Sequence, residues 1–139
     1  MKLLKNKEFA RFARRAGLSD TDLCSAASQA DRGIIDADLG GGVIKQRIAR
    51  RGKGKSGGFR TIVLFKINDR AVFVYGFAKN ERSNISLSEL TAFRKLAAEI
   101  LAYDDTALDQ AVKVRALIET PCEAAVVNAN EEGNDGQAI

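Results

Sequence analysis

Val43-Ile44-Lys45-Gln46-Arg47-Ile48-Ala49-Arg50 and Phe59-Arg60-Thr61-Ile62-Val63-Leu64-Phe65-Lys66-Ile67 are two strand-like segments joined by a glycine-rich turn. The first sets Ile44, Gln46 and Ile48 against Lys45, Arg47 and Ala49, so one face is mostly apolar and the other basic. The second is denser in Ile, Val, Leu and Phe, as suits a central strand covered on both sides. Asn68-Asp69 reads as a tight hairpin turn, and residues 71–78 complete a three-stranded antiparallel meander. Between Val43 and Arg60 stand seven basic residues and no acidic one, threaded through Gly52, Gly54, Gly57 and Gly58. Such a ribbon suits a polyphosphate backbone: glycines admit close main-chain approach while Lys and Arg neutralise charge.

Outward from the meander, Phe9, Phe12, Ala13 and Ala16 share one helical face ahead of Gly17, a C-cap, and Leu3-Leu4 suits a short strand before it. Ser19-Asp20-Thr21-Asp22 opens a second helix reaching about Arg32, which makes a helical hairpin. The connector that follows carries Asp36, Asp38 and three consecutive glycines. Ser86-Leu87-Ser88-Glu89 is a capping box for a third helix with a strong apolar stripe, and residues 105–118 form a weaker helix. From Pro121 onward no periodicity survives, and disorder is expected.

At 139 residues the chain is one domain with enough apolar residues for one core. No run spans a bilayer and the start is too polar for a secretory signal, so a cytoplasmic protein without membrane partners is expected. Cys24 and Cys122 lie far apart with no metal-ligand spacing, and in a reducing compartment both are expected as free thiols. With no histidine there is no Ser–His triad and no imidazole acid–base pair. Catalysis must run on Lys, Arg, carboxylates, hydroxyls or main chain, and no metal or cofactor is expected. The net charge of +4 conceals an asymmetry: residues 1–60 hold 14 basic and 6 acidic side chains, residues 101–139 hold 2 and 8. The front therefore has an anionic partner, while the acidic tail is open to two readings, a solvated terminus or a shield of the basic face in cis. The glycine-lysine pattern from Ala49 to Ser56 imitates nucleotide-binding loops, but those need a helix to follow, and here a strand does.

Val43 to Arg50, then Gly54-Lys55-Ser56-Gly57-Gly58-Phe59-Arg60, then Phe73-Val74-Tyr75-Gly76-Phe77-Ala78-Lys79-Asn80-Glu81-Arg82 resemble the RelE superfamily of bacterial toxins, most closely its HigB-like branch. The resemblance covers about residues 1–118, leaving 119–139 as an acidic, disordered tail. It implies a metal-independent, ribosome-dependent endoribonuclease that cuts translated messenger RNA by 2′-hydroxyl attack. It also implies a cognate antitoxin, with a helix-turn-helix protein as the type to seek beside it. Carried over by position, Lys45 and Arg47 match basic residues of the first meander strand, Arg60 the arginine holding the scissile phosphate, and Arg82 a basic residue after the last strand. Two positions depart from the pattern: Asn80 stands where relatives have a catalytic arginine, and Ser86 where they have a tyrosine. Lys79 is placed to replace the former.

The chemistry needs a base for the 2′-hydroxyl, stabilisation of the phosphorane, and an acid for the departing 5′-oxygen. Crowding by arginines favours the neutral form of a lysine, so Lys45 suits the base and Arg60, bidentate, the phosphate. Arg82 or Lys79 would serve the leaving group, and Arg50, Arg51, Lys53 and Lys55 would grip RNA. The expected fold is α+β: an antiparallel sheet of three to four strands, the N-terminal helical hairpin on one face and the C-terminal helix beside it. The rival reading is a non-catalytic nucleic-acid-binding module, or a relative whose nuclease has decayed through Asn80 and Ser86.

Overall fold

The computed structural model describes residues 1–50 and 54–122, with positions 50 and 54–56 given by backbone alone. In chain order the elements are β1 (Lys2–Asn6), α1 (Lys7–Ala16), α2 (Asp20–Asp31), β2 (Ala37–Gly40) and β3 (Val43–Arg50). Then come β4 (Gly54–Lys66), β5 (Arg70–Ala78), α3 (Leu87–Ile100), α4 (Asp105–Lys113) and β6 (Leu117–Thr120). The architecture is α+β, as expected, with β3, β4 and β5 forming the antiparallel meander.

The sheet itself is larger than expected. Six strands run in the order β2-β3-β4-β5-β1-β6. β1 joins β5 in parallel, β6 returns antiparallel to β1, and β2 pairs with β3. These three additions are four or five residues long, too short to show a period of two, and β2 lies in a glycine-rich connector. Their pairing depends on where the chain returns. α4 is also shorter than the 105–118 expected of it: Arg115 takes a left-handed φ of 64° and turns the chain into β6. The boundary expected at 118/119 thus falls inside β6, and residues 123–139 lie outside the described ones.

The caps formed as the local sequence directs. The Asn6 side chain accepts the Phe9 N–H at 2.8 Å, and Gly17, at φ 73°, closes α1. Ser19 with Asp22, and Ser86 with Glu89, make reciprocal capping boxes on α2 and α3.

Alternation along the strands sorts the core into two layers. Leu3, Ile44, Ile48, Val63, Ala71 and Phe73 pack against Phe9 and Ala13 of α1 and Leu23, Ala26, Ala27 and Ala30 of α2. Leu4, Val43, Ile62, Leu64, Val72 and Val74 pack against Ala97 and Ile100 of α3 and Leu108 of α4. The C-terminal helix therefore covers the face opposite the hairpin, not a place beside it. A sheet rich in apolar residues on both faces needs a helical layer on each. α1 closes tightly on β5 because Gly76 has no side chain: an added Cβ would come within 2.3 Å of the Phe12 ring. Among the described residues no helix is long and apolar enough to cross a membrane.

The cysteines correct another expectation. Cys24 and Cys122 are disulfide-bonded, with Cα atoms 5.6 Å apart across 98 residues of sequence. β6 brings the chain back beside β1, next to α2, and that return is invisible to sequence spacing. Closing so long a loop restricts the unfolded chain, by about 4–5 kcal/mol in the chain-entropy account. Reduction, or Cys122→Ser, should lower the unfolding free energy by about 2–5 kcal/mol in denaturant titrations. An unchanged midpoint with and without reductant would exclude a stabilising bridge.

Candidate nucleic-acid interface

The register of the meander decides which side chains meet. Arg47 of β3 lies directly opposite Arg60 of β4, and Lys45 opposite Ile62. Across the next ladder Arg60 faces Phe77, and Ile62 faces Tyr75. Residues opposite one another share a face, so Lys45, Arg47, Arg60, Tyr75 and Phe77 stand together on the α3 side of the sheet. α3 begins near this patch, with Phe93 6.0 Å from Tyr75 between ring centroids.

Arg60 is the centre of the patch and is only 6 % exposed. Its Nε lies 4.0 Å from Asp36 Oδ2, and its Nη1 is buried without a hydrogen-bond partner. Leaving a buried guanidinium donor unmade is costly, which sets Arg60 apart from an ordinary surface cation. Arg47 reaches the same carboxylate from the opposite strand, with Nη2 3.2 Å from Asp36 Oδ1. A cleft of about 410 Å³ lies between α2 and β3, lined by Asp22, Gln29, Ile34, Asp36, Gln46 and Arg47 among others. Arg60 pairs neither with Asp69, which binds Arg70 and Lys66, nor with Glu81.

Lys45 is half-buried, and Lys79 is exposed just past β5, its N–H donating to Gly58 O at 3.2 Å. Neither makes an ion pair among the described residues. Lys79 therefore stands at the Arg60 end of the sheet, one step beyond the Arg60–Phe77 row.

Arg82 sits differently. Its Nη1 donates to Tyr75 Oη at 2.9 Å and Glu89 Oε2 at 3.0 Å, its Nη2 to Glu89 Oε1 at 2.7 Å, and its Nε to Asn84 O at 2.9 Å. Four of five guanidinium donors are thus committed, and the group lies over the Tyr75 and Phe77 rings. Phe77 is buried, 4 % exposed. Ser86 serves as the N-cap of α3. The side chains of Arg50, Arg51, Lys53 and Lys55, expected to grip RNA, fall outside the described residues.

Two features escaped the sequence reading. Asp36 was visible only as an acid in the connector, and its approach to two arginines depends on the β2–β3–β4 register. A second cleft, of about 440 Å³, lies where β1 stops and β5 continues, with Arg11 and Arg15 of α1 one turn apart on its wall beside Tyr75 and Arg82. Among the described residues no group of three or more carboxylate or cysteine side chains is arranged to hold a metal ion.

The Arg82–Glu89 clasp sets a pH dependence. The hydrogen bonds from Arg82, and then the Ser86 N–H, hold the Glu89 carboxyl at about 2, below the ordinary 4.5. Arg82 is raised in turn, chiefly by Glu89 and then by Tyr75. A carboxyl lowered on folding contributes stability that is fully present above about 4.5 and is lost as pH falls toward about 2. Across that window Glu89→Gln should show a shallower fall in unfolding temperature than the unaltered protein; equal slopes would show that the clasp adds nothing.

The comparisons agree with this geometry. The family model described as the RelE toxin of the RelE/RelB toxin–antitoxin system matches residues 1–120. No curated protein matches the chain. A cationic meander braced by helices on both faces, matched over residues 1–120 of 139, places the chain in the RelE toxin family, as the toxin component of a toxin–antitoxin system.

Proposed function

We propose that this toxin is a metal-independent endoribonuclease of the HigB-like branch, acting on messenger RNA within the translating ribosome in the cytoplasm. A cognate antitoxin, of helix-turn-helix type, silences it by covering the basic face. The observation that carries the reading is the buried Arg60, with an unpartnered Nη1, directly opposite Arg47 and next to Lys45 on one sheet face. A surface that merely repelled aggregation would keep its cations solvated, as exposed lysines do.

In this reading Arg60, and Arg47 beside it, hold the non-bridging oxygens of the scissile phosphate and stabilise the negative charge that grows on the phosphorane. Lys45, as the general base, takes the proton from the 2′-hydroxyl as its oxygen attacks phosphorus. The bond from phosphorus to the 5′-oxygen breaks, and Lys79 returns a proton to that oxygen. The products are a 2′,3′-cyclic phosphate and a 5′-hydroxyl. Arg82, already committed to Glu89 and Tyr75 over the Phe77 ring, leaves the leaving group to Lys79. Arg50, Arg51, Lys53 and Lys55 grip ribosomal RNA through charge, which tolerates varied geometry.

The clasp on Arg82 also favours a second reading, a non-catalytic nucleic-acid-binding module or a decayed nuclease, since one expected catalytic cation is engaged elsewhere. Induced expression of the intact protein and of Arg60→Ala, with growth and messenger-RNA 5′-ends recorded together, separates the two. Growth arrest with new cuts inside translated codons, reduced about 10²–10³-fold by Arg60→Ala, is the expected result. Normal growth without new ends, despite folded protein, would leave the binding module.

A further inference from the structure

Like charges placed directly opposite on adjoining strands destabilise a sheet, and Arg47 and Arg60 are so placed. The fold supplies an anion for them, and supplies it from a fixed mount. Gln46, 3 % exposed, donates through Nε2 to Ala26 O of α2 at 3.1 Å and to Ile34 O at 3.0 Å. Its Oε1 accepts the Asp36 N–H at 2.9 Å. Its own main-chain carbonyl accepts from Thr61 Oγ1 of β4 at 3.0 Å. One buried amide therefore ties α2, the connector and β3 together, and fixes the backbone that carries Asp36. The Asp36 side chain, 20 % exposed, then spans both arginines. A surface ion pair would be mobile and screened; this carboxylate is held by its backbone on a buried support.

We propose that Asp36 is a positioning residue for the cleavage inferred above, and the proposal rests on that reading. Asp36 neutralises the repulsion between Arg47 and Arg60 and so fixes where the two guanidiniums stand relative to the scissile phosphate. Without Asp36 the two guanidiniums separate, and the phosphate is still attracted but no longer fixed. With Asp36 in place the charge of the arginine pair is partly neutralised; with it removed, the pair is left to attract a free oxyanion.

The test uses purified intact protein, Asp36→Asn, Asp36→Glu and Asp36→Asn/Arg60→Ala. Cleavage on translating ribosomes is measured as kcat and KM separately. Thermal unfolding is measured in inorganic phosphate and in chloride at matched ionic strength. Asp36→Asn should lower kcat about 10- to 100-fold with a much smaller change in KM, and Asp36→Glu should recover part of the loss. Phosphate should raise the unfolding temperature of Asp36→Asn more than that of the intact protein, and the excess should vanish in the double variant. Turnover by Asp36→Asn within about twofold of the intact protein, or no excess from phosphate, would overturn the proposal. Should intact protein cut no RNA, the nuclease reading fails by itself, and the phosphate comparison still decides the role of Asp36. If Asp36→Asn does not fold, Asp36→Asn/Arg47→Ala relieves the repulsion, and phosphate must still stabilise it beyond chloride for the proposal to stand.

Discussion

Two guanidiniums on facing positions of adjoining strands repel, and much of this molecule is arranged to contain that repulsion without removing it. The sheet register brings Arg47 and Arg60 together, and Asp36 enters from the connector to bridge them. Gln46 anchors the connector to α2, and the hairpin that carries α2 is set against the sheet by Phe9, Phe12 and the alanines of α2. Loss of any of these supports acts on the arginine pair through geometry. Charge is thus concentrated at one corner of the sheet, at a cost in local stability that the two packed layers offset.

The second helical layer has a separate role. α3 and α4 bury the other face of the sheet, while Arg47, on the same face, remains exposed. The start of α3 is fixed by Glu89, which caps through Ser86 and also receives Arg82. One carboxylate therefore sets both where the helix begins and where the Arg82 guanidinium lies, over Tyr75 and Phe77. Arg82 is thereby committed to this wall, whereas Lys79, exposed past the end of β5, makes no ion pair among the described residues.

Much of this was legible from local chemistry. The alternation in β3 gave its basic face, the apolar density of β4 and the Asn68-Asp69 turn gave the meander, and the caps at Ser19 and Ser86 obey rules that act within four residues. What stayed hidden depends on the return of the chain. β1, β2 and β6 are too short to announce their pairing, and the bridge between Cys24 and Cys122 spans 98 residues. Asp36 reads as one more connector acid until the β2–β3 ladder is known, and Glu89 reads only as a cap. A face was readable in the sequence; the partner that holds each cation on it was not.

The most direct measurement is the end chemistry of RNA cut by purified protein on translating ribosomes. A 2′,3′-cyclic phosphate upstream and a 5′-hydroxyl downstream, formed in the presence of a chelator, would agree with an arginine-clamped phosphate, a lysine base and no metal. Fragments bearing a 5′-phosphate and a free 3′-hydroxyl, or intact RNA with the protein stably bound, would contradict the account.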